Sequence, residues 1–179
     1  SSPCNYDSCT VTCSGQFTYW DKSCGPTCPS PYKQGTLPGG INICIYPCGS
    51  RDFLYWDGTC DDDCPAPLIT TIALKKSLCT TPCSGTYLYP DSTCQITCPL
   101  PLVQRTVHGQ VLCTTPCNLP GEFLYQNGEC SRTCPWQMTS VATYGIKYCN
   151  YPCTGSNYLY WDGQCLSTCV GPLQIRIER

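Results

Sequence analysis

Histidine, a common catalytic residue and metal ligand, is almost absent from the sequence. The chain contains one histidine, one methionine and three phenylalanines among 179 residues. The single histidine, His108, has no cysteine, serine or carboxylate partner at a spacing that indicates catalysis. No C-x2-C pair occurs, and without histidines beside it the cysteine pattern does not fit a zinc site. The sequence therefore predicts no enzyme, no catalytic residue, no metal site and no cofactor.

Charged residues are also scarce, at 12% of the chain, with ten basic and twelve acidic side chains. This near balance produces no field that would steer the chain toward nucleic acid or an anionic membrane. No apolar run reaches the length that a membrane-spanning helix requires, so we predict no transmembrane segment in this chain. No basic and apolar leader precedes Ser1, and we expect that a signal peptide was removed or that the sequence is an internal segment.

Two further absences concern the surface. Asp57 and the run Asp61, Asp62 and Asp63 offer oxygen ligands, but the glycine-punctuated spacing of a calcium loop is missing, which favours a solvated acidic turn. No N-x-S/T sequon occurs, so the sequence excludes N-linked glycans. O-linked sugars are a hypothesis for the threonines that lie next to prolines: Thr80, Thr81, Thr114 and Thr115.

Cysteine is the residue that is abundant, with 21 copies. So many thiols must be held in pairs, and disulfides imply an oxidising compartment. We therefore expect an extracellular or cell-surface protein. Seventeen prolines and fifteen glycines are too many chain breakers, and the large aliphatic side chains are too few, for one conventional core.

The cysteines follow a repeat of about 35 residues. Each copy contains a C-x3-C pair, ten to twelve further residues and a second C-x3-C pair, which defines its first, second, third and fourth cysteine. The five copies are Cys9/Cys13/Cys24/Cys28, Cys44/Cys48/Cys60/Cys64, Cys79/Cys83/Cys94/Cys98, Cys113/Cys117/Cys130/Cys134 and Cys149/Cys153/Cys165/Cys169. Cys4 is left over and is predicted to be unpaired or intermolecular.

This spacing divides the chain into five cysteine-rich repeats. We assign them to residues 1–34, 35–69, 70–104, 105–139 and 140–179, the last with the start of a linker to a further copy. The sequence stops in LQIRIER, where a strand-like linker would run, so we expect a segment cut from a longer array.

An aromatic run precedes the third cysteine of every copy, as in FLYWDGTC and FLYQNGEC. Such a run before D-G or N-G predicts a short strand that closes in a tight turn. The stretches LITTIALKKSL and LVQRTVHGQVL favour extended structure between the repeats. A helical hairpin also uses C-x3-C, but the proline before the second cysteine in four copies would cost about 3 kcal/mol each inside a helix. The predicted fold is a small disulfide-rich β protein, a linear array of about five two-disulfide modules with short strands and almost no helix.

The aromatic side chains have two interpretations. Rings beside an aspartate are typical of sugar-binding sites, but in so small a module they are favoured as the core that covers the disulfides. The predicted aromatic core is Tyr19, Trp20, Tyr55, Trp56, Tyr89, Tyr125, Tyr160 and Trp161.

A unit of about 35 residues is too small for a hydrophobic core alone. A disulfide that closes a loop of about 15 residues stabilises the fold by roughly 3 kcal/mol. The combined contribution of two disulfides in each repeat is therefore comparable to the net stability of a small domain. Four cysteines allow three pairings, which the sequence does not separate. First-to-third with second-to-fourth gives loops of similar length in every copy, whereas the nested pairing, such as Cys44 with Cys64 and Cys48 with Cys60, suits a plain hairpin.

The segment FLYWDGTCDDDCP resembles the furin-like and growth-factor-receptor cysteine-rich repeats, in the many-copy form of large surface proteins of ciliates and other protists. The resemblance covers essentially the whole chain. It implies small units with first-to-third and second-to-fourth disulfides, such as Cys9 with Cys24 and Cys13 with Cys28. The regular C-x3-C spacing and the unpaired Cys4 depart from the receptor pattern.

Similar modules that contact only their neighbours stack into quasi-linear solenoids, which serve as spacers, coats or filament subunits. We therefore predict a structural protein of an extracellular or cell-surface filament, coat or appendage, with self-association as its partner interaction. A terminal strand and Cys4 would join the next subunit by strand addition or by an intermolecular disulfide. The alternative function is a receptor ectodomain stalk or a ligand-binding cysteine-rich module.

Overall fold

The computed structural model describes residues 13–171, which contain short β-strands and no helix. In chain order the strands are β1 (Phe17–Thr18), β2 (Cys24–Gly25), β3 (Lys33–Leu37), β4 (Ile41–Ile45), β5 (Phe53–Tyr55), β6 (Cys60–Asp61), β7 (Ile69–Ala73), β8 (Lys76–Thr80), β9 (Tyr87–Leu88), β10 (Cys94–Gln95), β11 (Val103–Val107), β12 (Gln110–Thr114), β13 (Phe123–Tyr125), β14 (Cys130–Ser131), β15 (Thr139–Thr143), β16 (Ile146–Asn150), β17 (Tyr158–Leu159) and β18 (Cys165–Leu166). Within this part of the chain, no helix has the length and apolar character needed to cross a membrane.

The strands form one recurring sheet. Four sheets have four strands each, in the orders β2-β1-β4-β3, β6-β5-β8-β7, β10-β9-β12-β11 and β14-β13-β16-β15. Each combines a short antiparallel hairpin with a longer one, and the two middle strands run parallel. The fifth sheet contains only β17 and β18 among residues 13–171. The small disulfide-rich β fold expected from the sequence is thereby confirmed.

The longer hairpin of each sheet crosses from one predicted repeat into the next. The assigned boundaries at 34/35, 69/70, 104/105 and 139/140 fall inside β3, β7, β11 and β15. The extended stretches between the repeats are therefore strands, but they belong to the sheets rather than to spacers. Each four-stranded sheet unites the second half of one repeat with the first half of its successor.

Three of the longer hairpins close in two-residue turns whose central residues both have positive φ. The pairs are Leu74 and Lys75 at 48° and 61°, His108 and Gly109 at 46° and 81°, and Tyr144 and Gly145 at 53° and 78°. This is the backbone of a type I′ turn, whose twist matches that of the flanking strands. The turns place five-residue strands directly against each other.

The chain divides into two compact units, of which the first ends at Thr81 and the second begins at Pro82. Each unit has a core that draws buried side chains from two consecutive sheets. The core of the first unit contains Cys28, Tyr32, Cys44, Leu54 and Leu78. The core of the second unit contains Tyr89, Leu102, Cys113, Leu124 and Ile146.

Candidate functional site at the repeat junctions

Eighteen of the nineteen cysteines in residues 13–171 are joined in nine disulfides, which fall into two alternating classes. Hairpin disulfides join the second and third cysteine of a repeat: Cys13–Cys24, Cys48–Cys60, Cys83–Cys94, Cys117–Cys130 and Cys153–Cys165. Junction disulfides join the fourth cysteine of a repeat to the first cysteine of the next: Cys28–Cys44, Cys64–Cys79, Cys98–Cys113 and Cys134–Cys149.

The first-to-third and second-to-fourth pairing is therefore wrong in all five copies. In the first copy Cys24 bonds to Cys13 rather than to Cys9, and Cys28 bonds to Cys44 rather than to Cys13. The nested alternative is half right, because its inner pair exists while its outer pair, such as Cys44 with Cys64, does not. The physical reason is the sheet order. The strand that carries the first cysteine of a repeat lies beside the aromatic strand of the preceding repeat and not beside its own.

The register of the parallel strands sets the junction geometry. In the second sheet Tyr55 of β5 lies opposite Cys79 of β8, and Leu54 lies opposite Leu78. Cys64 follows the short hairpin β5–β6 and reaches Cys79 with a Cα–Cα distance of 5.7 Å. Disulfides prefer Cα–Cα distances of about 5.5–6 Å, so the bond forms without movement of the backbone.

A tyrosine in every repeat fixes the chain next to the fourth cysteine. The hydroxyl group of the tyrosine donates a hydrogen bond to the carbonyl oxygen eight residues later, directly before that cysteine. The bonds are Tyr19 to Thr27, Tyr55 to Asp63 at 2.7 Å, Tyr89 to Thr97 at 2.8 Å, Tyr125 to Thr133 at 2.9 Å and Tyr160 to Thr168 at 2.7 Å. This tyrosine clamp, as we call it, positions the cysteine that bridges the junction.

The aspartate or asparagine after the aromatic run is a turn residue. Oδ1 of Asp57 accepts hydrogen bonds from the Thr59 amide at 3.0 Å and from the Thr59 hydroxyl at 2.6 Å. The amide two residues later is bound in the same way at Asp21, Asp91, Asn127 and Asp162. This local bond is the Asx-turn for which Asp and Asn are selected. The recurrence of Asp or Asn at this position is therefore explained by the hydrogen bond to the backbone rather than by a ligand.

The predicted aromatic core is only partly buried. Tyr55 and Tyr89 are 1% and 3% exposed, whereas Trp161 is 61% exposed. Tyr19, Trp20, Trp56, Tyr125 and Tyr160 are half-buried.

Three fully buried side chains were not predicted from the sequence. They are the leucines between the aromatic residues of the second, third and fourth runs: Leu54, Leu88 and Leu124, each 0% exposed. Their signal was present in the sequence as the central letter of FLY and YLY.

Burial also affects the acidity of two clamp tyrosines. The pKa of Tyr55 is raised above its ordinary value of 10.0 by burial and by Asp61, Asp63 and Asp57. The pKa of Tyr89 is raised by burial and by Tyr144, whose ring meets that of Tyr89 edge-on at 5.0 Å. Both hydroxyls therefore stay protonated and able to donate at neutral pH.

The fourth cysteine of the last repeat differs from its counterparts. Cys169, predicted to be in a disulfide, is a half-buried free thiol. The predictions for Cys9, as a disulfide partner, and for Cys4, as unpaired or intermolecular, lie outside the described residues.

The other sequence candidates form no shared site. Asp61, Asp62 and Asp63 are exposed, and an Asp61 carboxylate oxygen accepts a hydrogen bond from the Asp62 amide. Among residues 13–171, the one group of three ligand atoms close enough for a metal is Cys117, Glu122 and Cys130. Its two sulfurs form a disulfide, so they are not available as thiolates.

Two of the threonines proposed for O-linked sugar hold the longer hairpins. The Thr80 hydroxyl donates to the Ile69 carbonyl at 3.1 Å, and the Thr114 hydroxyl donates to the Val103 carbonyl at 3.4 Å. A sugar attached to either oxygen would replace the hydroxyl hydrogen and remove this hydrogen bond. O-glycosylation stays a prediction.

A groove of about 470 Å³ lies in the second compact unit. Tyr89, Tyr125, Tyr144 and Tyr148 contribute to its wall, and the amides of Gln95, Gln126 and Asn150 add polar groups. All of its lining side chains are uncharged. Two of its aromatic residues, Tyr89 and Tyr148, belong to the core cluster that contains Cys98 and Cys113. These two cysteines form the junction disulfide between the third and fourth repeats.

None of the family models, curated proteins or solved structures compared with the chain matches it. The repeated disulfide-stapled sheets are those of a cysteine-rich repeat protein, and nine disulfides indicate an oxidising environment such as that of secreted proteins.

Proposed function

We propose that the chain is a non-catalytic structural protein of an extracellular or cell-surface filament, coat or appendage, whose modules associate end to end. The observation that carries the proposal is the junction disulfide, which occurs four times with Cα–Cα distances of 5.4–5.8 Å. A protein whose successive repeats are covalently tied is suited to transmit tension and to resist unfolding outside the cell. The resemblance to furin-like repeats of protist surface proteins is part of the same proposal.

The distribution of burial supports a structural role. Leu54, Leu88 and Leu124, which are fully buried, occur in consecutive repeats, and no one of these three repeats differs sharply from the others. Binding proteins concentrate their specific contacts in a few positions, whereas a structural array repeats one contact many times. The repetition of leucine, clamp and disulfide therefore favours assembly.

Electron microscopy of the native material tests this proposal. We expect unbranched head-to-tail polymers whose axial periodicity corresponds to a whole number of cysteine-rich repeats. A uniform preparation of isolated short particles, at the concentration found in the native source, would contradict it. Labelling with an antibody against the chain identifies the polymer that contains it, and unrelated fibres serve as the control.

The alternative, a ligand-binding module, is favoured by the uncharged groove of the second unit. Tyrosine rings with nearby amides suit a neutral oligosaccharide, because sugar C–H faces stack on rings and hydroxyls bond to amides. Binding to a glycan array that is lost in Tyr144→Ala, where the side chain is 39% exposed, would support this role. Tyr151→Ala, at 37% exposure and outside the groove lining, is the matched control.

A further inference from the structure

The strand β7 of the first compact unit has an open edge. It lies at the end of its sheet, in the order β6-β5-β8-β7, and within residues 13–171 no strand lies on its outer side. The first four residues of β7 are exposed. Ile72, at 78%, is the most exposed large apolar residue of the four outer strands β3, β7, β11 and β15. An exposed strand edge of this kind is a template for another strand.

The register of the hairpin decides which backbone groups of β7 face outward. Leu74 and Lys75 form its two-residue turn, so Ala73 and Lys76, which flank the turn, are a hydrogen-bonded pair. Hydrogen-bonded and non-hydrogen-bonded pairs alternate along an antiparallel ladder. The amide and carbonyl groups of Thr70 and Ile72 therefore point away from β8, toward the position of a further strand.

The strand β7 lacks the charged side chains that protect sheet edges. Natural proteins place charges on exposed edge strands, because a charge opposes pairing with another chain. Arg105 lies at the centre of β11, and Lys33 begins β3. The sequence of β7, ITTIA, contains no charge, and four of its five residues are β-branched. Such residues are favoured in strands, so nothing in β7 opposes the addition of a partner.

The strand β7 is complementary to a second copy of itself. When two identical strands pair antiparallel about a two-fold axis, one residue lies opposite its own counterpart. With Thr71 on the axis, Thr70 lies opposite Ile72 of the second copy, and Ile69 lies opposite Ala73. The outward amide and carbonyl groups of Thr70 and Ile72 then meet in hydrogen-bonded pairs. The central Thr71 pair is of a type that stabilises sheets.

The same register is less favourable for the other outer strands. In β11 it places Arg105 opposite itself, and like charges directly opposite each other destabilise a sheet. In β15 it places Ser140 opposite Ala142, and these two small side chains bury little apolar surface. In β3 it places Gly35, a residue that weakens strands, opposite itself. Charge and side-chain size therefore single out β7.

We propose that β7 is an interaction surface for a second copy of this chain, with the two β7 strands paired antiparallel about Thr71. The pairing joins two four-stranded sheets into one continuous sheet. It is separate from the end-to-end association of the proposed function and does not depend on it. Because five residues from each strand bury less area than a standard interface, the dimer is reversible and its population rises with protein concentration.

A charge exchange at the axis tests the proposal. Thr71→Arg and Thr71→Glu each place like charges opposite each other, so each variant alone should stay monomeric by sedimentation equilibrium up to about 1 mM. An equimolar mixture of the two variants should dimerise, since Arg then lies opposite Glu. Thr36→Arg, which adds the same charge at an exposed position of β3, is the matched control and should dimerise like the original chain. Free thiols are alkylated beforehand, so that disulfide-linked dimers do not form.

Hydrogen exchange of the original chain locates the contact. The outward amides of Thr70 and Ile72 should exchange more slowly as the protein concentration rises, because they become hydrogen-bonded in the dimer. Gln104 and Thr106 occupy the corresponding positions of β11 and serve as the control. Their exchange should not depend on concentration. This measurement needs no variant, so it decides the question even if a substitution at Thr71 impairs folding.

Four results would overturn the proposal. The original chain could stay monomeric up to about 1 mM, or its dimer could persist unchanged in Thr71→Arg. The mixture of the Arg and Glu variants could contain no dimer. A dimer that is lost in Val141→Arg, at the centre of β15, and kept in Thr71→Arg would assign the contact to a different edge.

Discussion

The junction and hairpin disulfides differ in how far they are withdrawn from solvent, and this difference predicts the order in which they are reduced. In Cys28–Cys44 both residues are buried, at 7% and 2% exposure. In Cys48–Cys60 the second residue is exposed. A reductant must approach one sulfur directly. Cys48–Cys60 is therefore open to attack in the folded chain, whereas Cys28–Cys44 must first be uncovered by local opening.

The size of the effect follows from what such an opening exposes. Cys28 and Cys44 share a core with Leu54, which is 0% exposed. Uncovering one leucine side chain costs about 1.5–3 kcal/mol. Because about 1.4 kcal/mol changes a rate tenfold, Cys48–Cys60 should be reduced roughly 10 to 150 times faster than Cys28–Cys44.

The assay is partial reduction with a water-soluble phosphine, followed by two differently massed alkylating reagents. The first reagent marks cysteines released in the folded state, and the second marks the remainder after complete reduction in denaturant. Mass spectrometry then gives the rate for each pair. Partial reduction in guanidinium is the control, and there the two rates should converge. Equal rates in the folded chain, or faster reduction of Cys28–Cys44, would refute the reasoning.

Two further predictions concern the leucine and the tyrosine of the junction. Leu124→Ala should destabilise the chain by about 2–5 kcal/mol in a urea titration with disulfides intact, because its side chain is fully buried, whereas Leu159→Ala, at a half-buried position, should cost clearly less. The raised pKa of Tyr89 means that the folded chain holds this proton more tightly than the unfolded chain. Titration of Tyr89 should therefore leave the stability unchanged below about pH 10, and the stability should fall as the pH rises from there through the folded pKa. Tyr89→Phe should lose about 0.5–1.5 kcal/mol with the hydrogen bond to Thr97 and should show a smaller alkaline fall, measured by thermal unfolding from pH 8 to 11.5. Equal losses at Leu124 and Leu159, or an unchanged alkaline fall in Tyr89→Phe, would contradict these expectations.

The local structure could be predicted because it depends on local chemistry. The aromatic run before Asp57 and Gly58 indicated a strand and a tight turn, and Gly58 has the expected positive φ of 82°. In the third repeat the same turn gives Ser92 a φ of 66°, although no glycine at this position indicates a turn. Asp91, one residue earlier, supplies the turn hydrogen bond, so the aspartate is the more general signal.

The disulfide partners could not be predicted in the same way. C-x3-C pairs have the same spacing within a repeat, and the choice of partner depends on which strands become neighbours. The overlooked signal was the constant length of the linkers, since the cysteines of the junction disulfides are 15 or 16 residues apart in all four cases. A true spacer tolerates insertions, whereas a hairpin closed by a disulfide does not. The family resemblance led to the wrong pairing because it described a repeat that closes on itself.

The alternation of the two disulfide classes turns the polypeptide into a succession of closed rings joined by four-residue steps, from each third cysteine to the fourth and from each first cysteine to the second. A pulling force therefore travels through the sulfur bridges and bypasses the loops. At about 3.3–3.6 Å for each extended residue, two such steps and two bridges span roughly 40 Å, against roughly 120 Å for 35 residues without bridges. Even after its sheets had come apart, the segment from Cys13 to Cys165 would stretch to only about a third of its contour length. A cut of the backbone inside any one disulfide ring would leave this segment covalently connected.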